Sequence, residues 1–183
     1  MANLCFFTMK IVGKKESIEE FTRRMQRIGE FEKNGIGRVY DFDIEDPREL
    51  SDGNILVLGY GDCAWSLWCA CMKKYRGEQP SLETESERLG LIIEAFSEET
   101  GCCFQEHYFI NKGILEVNEF VEYHAYWKDG YSEEEWQEML AENNWTEDDV
   151  NENGFIPVGG FEYYCDFIKI KEYLKNIAVE VLE

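Results

Sequence analysis

The chain has 183 residues, of which 38 are acidic and 18 basic, for a net charge of −20, with 44% hydrophobic and 15% aromatic residues. This length and apolar content predict one sizeable core with an appended element and exclude a disordered chain. The charge excludes unaided binding to nucleic acid or to an anionic membrane, and favours encounter with a basic protein surface. It is also concentrated: the stretch 91–164 holds 18 acids and only the bases Lys112 and Lys128, a net of −16.

Leu4 to Val12 reads as a strand of large apolar residues, closed by Gly13. A helix follows, with Ser17 and Glu20 at capping-box spacing. Ile18, Phe21, Met25 and Ile28 share one face, and Gly29 stands at the C-terminal cap. Arg38 to Ile44 is a strand with Tyr40, Phe42 and Ile44 on one side, and Asp46-Pro47 begins the connection to the next strand, Ile55 to Tyr60. Asp62 is expected to cap a helix to about Tyr75, its apolar face made of Trp65, Trp68, Cys69 and Met72. Ser81 to Leu89 is a short helix stopped by Gly90, and Leu91 to Phe96 a further strand. This order predicts an α+β fold, a ferredoxin-like β-α-β-β-α-β sandwich.

Cys102 to Ile110 and Ile114 to Trp127 form a long hairpin around Lys112-Gly113. The expected register gathers Phe104, Tyr108, Ile110, Leu115, Val117, Val121 and Tyr123 on an apolar face. Gln105, His107, Glu116, Asn118, Glu122 and His124 fall on a polar one. Two capping boxes then predict an acidic helical pair: Ser132 with Glu135, stapled by Tyr131 and Trp136, and Thr146 with Asp149, stapled by Trp145 and Val150. Phe167, Ile170, Leu174, Ile177 and Val181 mark a closing amphipathic helix. The expected division is 1–127 as core with hairpin, and 128–183 as the acidic pair and C-terminal helix packed on that core.

No arrangement signals catalysis, and the chain reads as a non-enzyme. The seven cysteines are odd in number and lie mostly within regular elements, so reduced thiols are expected. Cys102-Cys103 near His107 is the least poor nucleophile, but adjacent strand residues face opposite ways. His107 and His124 stand too far apart to share a metal, and no C-x-x-C pair exists. Asp149-x-Asn151-x-Asn153-Gly154 resembles half a calcium loop, then places Gly160 where a bidentate Glu is needed. A turn is expected there, and no cofactor. Glu98, Glu99 and Glu106 read as a solvated edge. No basic leader precedes an apolar run and no stretch approaches the ~20 apolar residues of a span, so the cytoplasm is expected.

The order from Asn3 through the first strand and helix, Tyr60-Gly61 leading to Trp65 and Trp68, and the run Ser97-Glu98-Glu99-Thr100-Gly101-Cys102-Cys103-Phe104-Gln105-Glu106-His107-Tyr108 resembles the YubB-type ferredoxin-like proteins of phages and plasmids. The likeness covers residues 3–127. Where members often carry Trp-Gly-Thr-Lys-Trp, this chain has Met72-Lys73-Lys74-Tyr75. The full length also resembles type II-A anti-CRISPR proteins of clostridial phages. That resemblance implies a protein in the host bacterial cytoplasm that binds guide-RNA-loaded Cas9 and keeps it from target DNA. Clustered carboxylates suit the arginine-rich surfaces with which Cas9 holds nucleic acid. The alternative partner is another basic, DNA-binding host protein, and a homo-oligomer is left open. The partner-binding residues expected are Glu133, Glu134, Glu135, Trp136, Glu138, Glu142, Trp145, Glu147, Asp148, Asp149 and Glu152. Six of them stand in first helical turns, where the helix dipole already favours acids, but Glu138, Glu142 and Glu152 do not.

Overall fold

A computed structural model describes residues 4–77, 79–99, 104–122, 124–150, 154–158 and 166–182. The chain divides into two compact units, Met1–Phe120 with Cys165–Glu183, and Val121–Tyr164, so the C-terminal helix belongs to the first unit.

The first unit is an α+β structure built on a six-stranded antiparallel sheet. Its strands are β1 (Leu4–Gly13), β2 (Val39–Glu49), β3 (Ile55–Ala64), β4 (Ile92–Glu99), β5 (Phe104–Asn111) and β6 (Ile114–Glu122), in the order β2-β3-β1-β4-β5-β6. Alternation along β1 sends Cys5, Phe7, Met9 and Ile11 into one core, which also takes Val57, Ile93, Ala95, Tyr108 and Ile110. The helices α1 (Lys15–Gln26), α2 (Leu67–Cys71) and α4 (Leu82–Leu89) supply Ile18, Phe21, Met25, Leu67 and Leu82 to it. Val12, Leu50, Leu56, Ile92 and Phe109 form a second cluster with Ile170 and Leu174 of α6 (Ile168–Asn176).

Several local expectations are revised. Lys14, not Ser17, precedes α1 and makes no side-chain cap; the helix ends on Arg27 in the left-handed region (φ 56°), and Ile28 is exposed. A bulge between Val39 and Asp41 turns Tyr40 away from Phe42 and out to solvent. Strand β2 runs on through Asp46 and Pro47 with a second irregularity between Glu45 and Arg48. Asp62 lies inside β3, and Ser66 caps α2 by accepting from the Cys69 amide at 3.0 Å. Extended backbone at Met72 separates α2 from α3 (Lys73–Arg76), and both Trp65 and Cys69 are exposed. By contrast α4 has its expected start and stop: Ser81 and Thr84 form a reciprocal capping box and Gly90 takes φ 69°.

The β5–β6 hairpin turns at Lys112 (φ 47°) and Gly113 (φ 90°), a primed turn of the kind that matches strand twist. Its faces differ from those expected. Leu115 packs with Tyr108 and Ile110, but Val117 joins Phe109 in the opposite cluster, and Glu119 lies 3.9 Å from His107. Val117 and Glu119 thus lie on the face opposite that of Leu115. Of the supposed polar face, Gln105 and His107 are buried while Glu116 is exposed; α6 packs on the same side of the sheet as His107, through Glu94.

In the second unit, β7 (His124–Trp127) pairs antiparallel with β8 (Phe155–Val158) and does not extend β6. Helix α5 (Glu133–Asn143) packs Trp136, Met139 and Leu140 with Ile156, while the expected second helix is a three-residue 3-10 turn, Glu147–Asp149. Among the described residues no helix is long and apolar enough to cross a membrane.

Candidate docking surface

Helix α5 begins with a reciprocal cap. The Glu135 amide donates to Ser132 Oγ at 3.3 Å, and Glu135 Oε2 accepts from the Ser132 amide at 2.9 Å and its hydroxyl at 2.7 Å. These bonds, the Ser132 amide first, hold the Glu135 carboxyl below its ordinary range. Trp136, one residue on, is fully buried and donates from Nε1 to Glu147 Oε1 at 3.2 Å. Glu147 is a hub: it also accepts from Lys128 Nζ at 3.0 Å and Gln137 Nε2 at 2.8 Å, and the Lys128 bond holds its carboxyl low. Asp149 closes the adjoining turn by accepting from the Thr146 amide at 2.7 Å.

The expected partner-binding residues therefore separate into two groups. Trp136 is an interior residue of this unit, packed beneath Tyr131 (5.8 Å between ring centroids), whereas Trp145 is half-buried and packs against Tyr126 (5.7 Å). Trp136 is therefore not a free aromatic anchor, while Trp145 keeps part of its surface exposed. Glu135, Glu147 and Asp149 are committed to caps and to Lys128, and Glu133 accepts from Gln137 at 3.2 Å. Glu134, Glu138, Glu142 and Asp148 remain exposed and make no hydrogen bond or ion pair with any described residue. Glu152 lies outside the described residues, as do Asn151 and Asn153 of the calcium-like segment.

Glu134, Glu138 and Glu142 follow one another at four-residue steps, so 3.6 residues per turn places them in one stripe, opposite the Trp136–Leu140 face. Like charges at this spacing cost a helix ~0.2–0.5 kcal/mol per pair. Glu142 stands in the last turn, which holds no basic residue, where the dipole disfavours an acid. The helix dipole accounts for Glu134, in the first turn, but not for Glu138 and Glu142.

In the first unit, the groups that could carry chemistry are used structurally. Glu94 is fully buried and accepts from the Ile170 amide at 2.8 Å and the Lys169 amide at 3.2 Å, capping α6 from a strand. His107 Nε2 lies 2.9 Å from Glu94 Oε1, and its ring stacks on Phe96 at 4.3 Å. Glu99 and Glu106 are buried, contrary to the solvated edge expected; Glu106 accepts from Ser97 Oγ at 2.6 Å and from the Trp68 amide at 3.3 Å. The thiols of Cys5, Cys63 and Cys71 lie together in the core. Contact with Cys63 and burial push the Cys5 thiol far up; at Cys63, contact with Cys5 acts downward but Cys71 and burial outweigh it. Such thiols are inert. Cys102, Cys103 and Cys165 fall outside the described residues. Among the described residues no cluster of His, Cys, Asp or Glu is placed to hold a metal ion.

No family model, curated protein or solved structure matches this chain.

Proposed function

We propose that this chain is a non-catalytic inhibitor of a type II CRISPR nuclease, which docks onto guide-RNA-loaded Cas9 through Glu134, Glu138, Glu142 and Asp148 and keeps it from target DNA. The observation that carries the reading is the Glu134–Glu138–Glu142 stripe, an unneutralised row of carboxylates at like-charge spacing, of which Glu138 and Glu142 have no support from the helix dipole. A basic groove built for phosphates is the complement of such a row, and the charge would speed association more than it tightens the final complex. The resemblance to anti-CRISPR proteins supports the same partner. On this reading the strand order β2-β3-β1-β4, with α1 and α4 on one face, is a ferredoxin-like scaffold to which β5, β6 and α6 have been added.

The test is co-purification with guide-loaded Cas9 and cleavage of target DNA, using the parent chain and a Glu134→Lys, Glu138→Lys, Glu142→Lys variant. Asp149 is left intact because it caps a turn. The parent should block cleavage; the variant should fold as the parent does, associate more slowly, and lose the salt dependence of association. Unimpaired cleavage at excess parent protein removes the Cas9 reading and favours a different basic, DNA-binding host protein. Parent-like inhibition by the variant places the contact elsewhere.

A further inference from the structure

Of the 18 lysines and arginines, Arg24, Arg48, Arg88 and Lys128 form ion pairs among the described residues; the others do not, and what sets four of those others apart is that they gather at one place. These four are Arg27, Lys33, Arg38 and Arg76, none of which forms an ion pair with any described residue. All four line one cavity of about 340 Å³ in the first unit, together with Gly35 and Gly37. Its described lining contains no carboxylate; Glu30 and Glu32 of the neighbouring turn are not part of it, and Glu78 lies outside the described residues.

The cavity is held in place from three sides. Arg27 ends α1 in the left-handed region and donates from Nη1 to the Gly37 carbonyl at 3.4 Å. The Ile36 amide donates to the Arg24 carbonyl at 3.0 Å, and a Cβ on Gly35 would lie 2.6 Å from that same oxygen, so this loop is drawn tightly onto the helix end. Arg76 closes the cavity from α3, and its Nε is buried without an acceptor. A buried donor left unmet is costly, and here the loss is compounded by like charge. Burial lowers the Arg76 pKa, and Arg27 and Arg38 add to the effect.

We propose that this cavity binds a small phosphate-bearing anion of about diphosphate size. Three guanidinium groups and one ammonium around a single cavity, with no carboxylate in its described lining, match phosphate oxygens in charge and donor geometry. The volume lies at the small end of the ~300–1,000 Å³ range of small-molecule sites. The surrounding net charge of −20 disfavours a long polyanion such as nucleic acid. This inference is independent of the acidic stripe on the other unit.

The experiment is calorimetric titration of the full chain with sodium pyrophosphate at low ionic strength, alongside thermal unfolding. Saturable binding and a rise in the unfolding midpoint with added pyrophosphate are expected. Arg76→Gln should weaken binding by about tenfold or more, and Lys33→Gln, which alters an exposed side chain that folding does not need, several-fold. Arg48→Gln, whose partner is Asp46, should bind as the parent. Adenosine diphosphate should bind comparably if the source is a nucleotide, and more weakly than pyrophosphate if it is a free diphosphate; oligothymidylate should not bind. The assignment is overturned by absence of saturable binding, by parent-like affinity in both Arg76→Gln and Lys33→Gln, or by an oligonucleotide that binds more tightly than pyrophosphate.

Discussion

Replacing Glu94 by Ala tests whether α6 is held to the sheet by a buried charge. The carboxylate has no solvent exposure and meets three donors: the amides of Lys169 and Ile170, at 3.2 and 2.8 Å, and His107 Nε2 at 2.9 Å. Phe167, at the N-cap position, offers no side-chain bond, so these first-turn amides have no local acceptor. A hydrogen bond to a charged group contributes ~1.5–3 kcal/mol, and the two amides alone would lose ~3–6 kcal/mol. Relief of the carboxylate's own desolvation returns part of this, leaving an expected loss of about 3–5 kcal/mol, the range for removing one member of a buried ionic contact. Glu94→Gln should lose less, since one oxygen still accepts. The assay is chemical unfolding combined with amide hydrogen exchange, in which Ile170 to Leu174 should lose protection before β1 and β3 do. A loss under about 1 kcal/mol with unchanged exchange in α6 would refute the capping argument.

Phe21→Ala should cost about 3–5 kcal/mol in urea unfolding, since Phe21 is fully buried and meets Phe42 edge-on at 6.1 Å; a cost below ~1 kcal/mol would mean that the α1 face is not the core face. Gly37→Ala should destabilise by about 1–3 kcal/mol, measured the same way, because φ is 59° and the added Cβ would meet the Ala70 carbonyl oxygen and Cys71 Sγ. Below about pH 4.5 the parent should lose stability more steeply than Glu20→Gln. The hydrogen bond from Arg88 (2.7 Å), assisted by Arg24 (3.2 Å), holds the Glu20 carboxyl below its ordinary 4.5. A depressed folded-state pKa gives stability that is complete above the unfolded value and lost as pH falls through the folded one. Parallel acid-unfolding curves for the two proteins would remove Glu20 as a contributor.

The features legible before folding lie within short reach along the chain. The Ser81 and Ser132 capping boxes, the Gly90 stop and the Lys112-Gly113 turn each satisfy hydrogen bonds or dihedral preferences among residues a few positions apart, and their chemistry is written in those residues. The Ile18–Phe21–Met25 face was legible for the same reason, and so was the acidic excess of α5. Tertiary structure decided which surfaces were covered. Gln105 and His107 read as a polar face, yet both are buried; α6 arrives from more than sixty residues away, and Glu94, bonded to His107, becomes the cap that α6 lacks. Trp136 and Trp145 read equally well as staples or anchors until the pairing of β7 with β8 gave them a core to fill. The cavity lined by Arg27, Lys33, Arg38 and Arg76 gathers cations from the end of α1, the loop after it and α3, with no shared motif. Caps and turns are local energies; the cover of a sheet face and the pairing of distant charges depend on where the chain returns, and spacing along the sequence does not encode that.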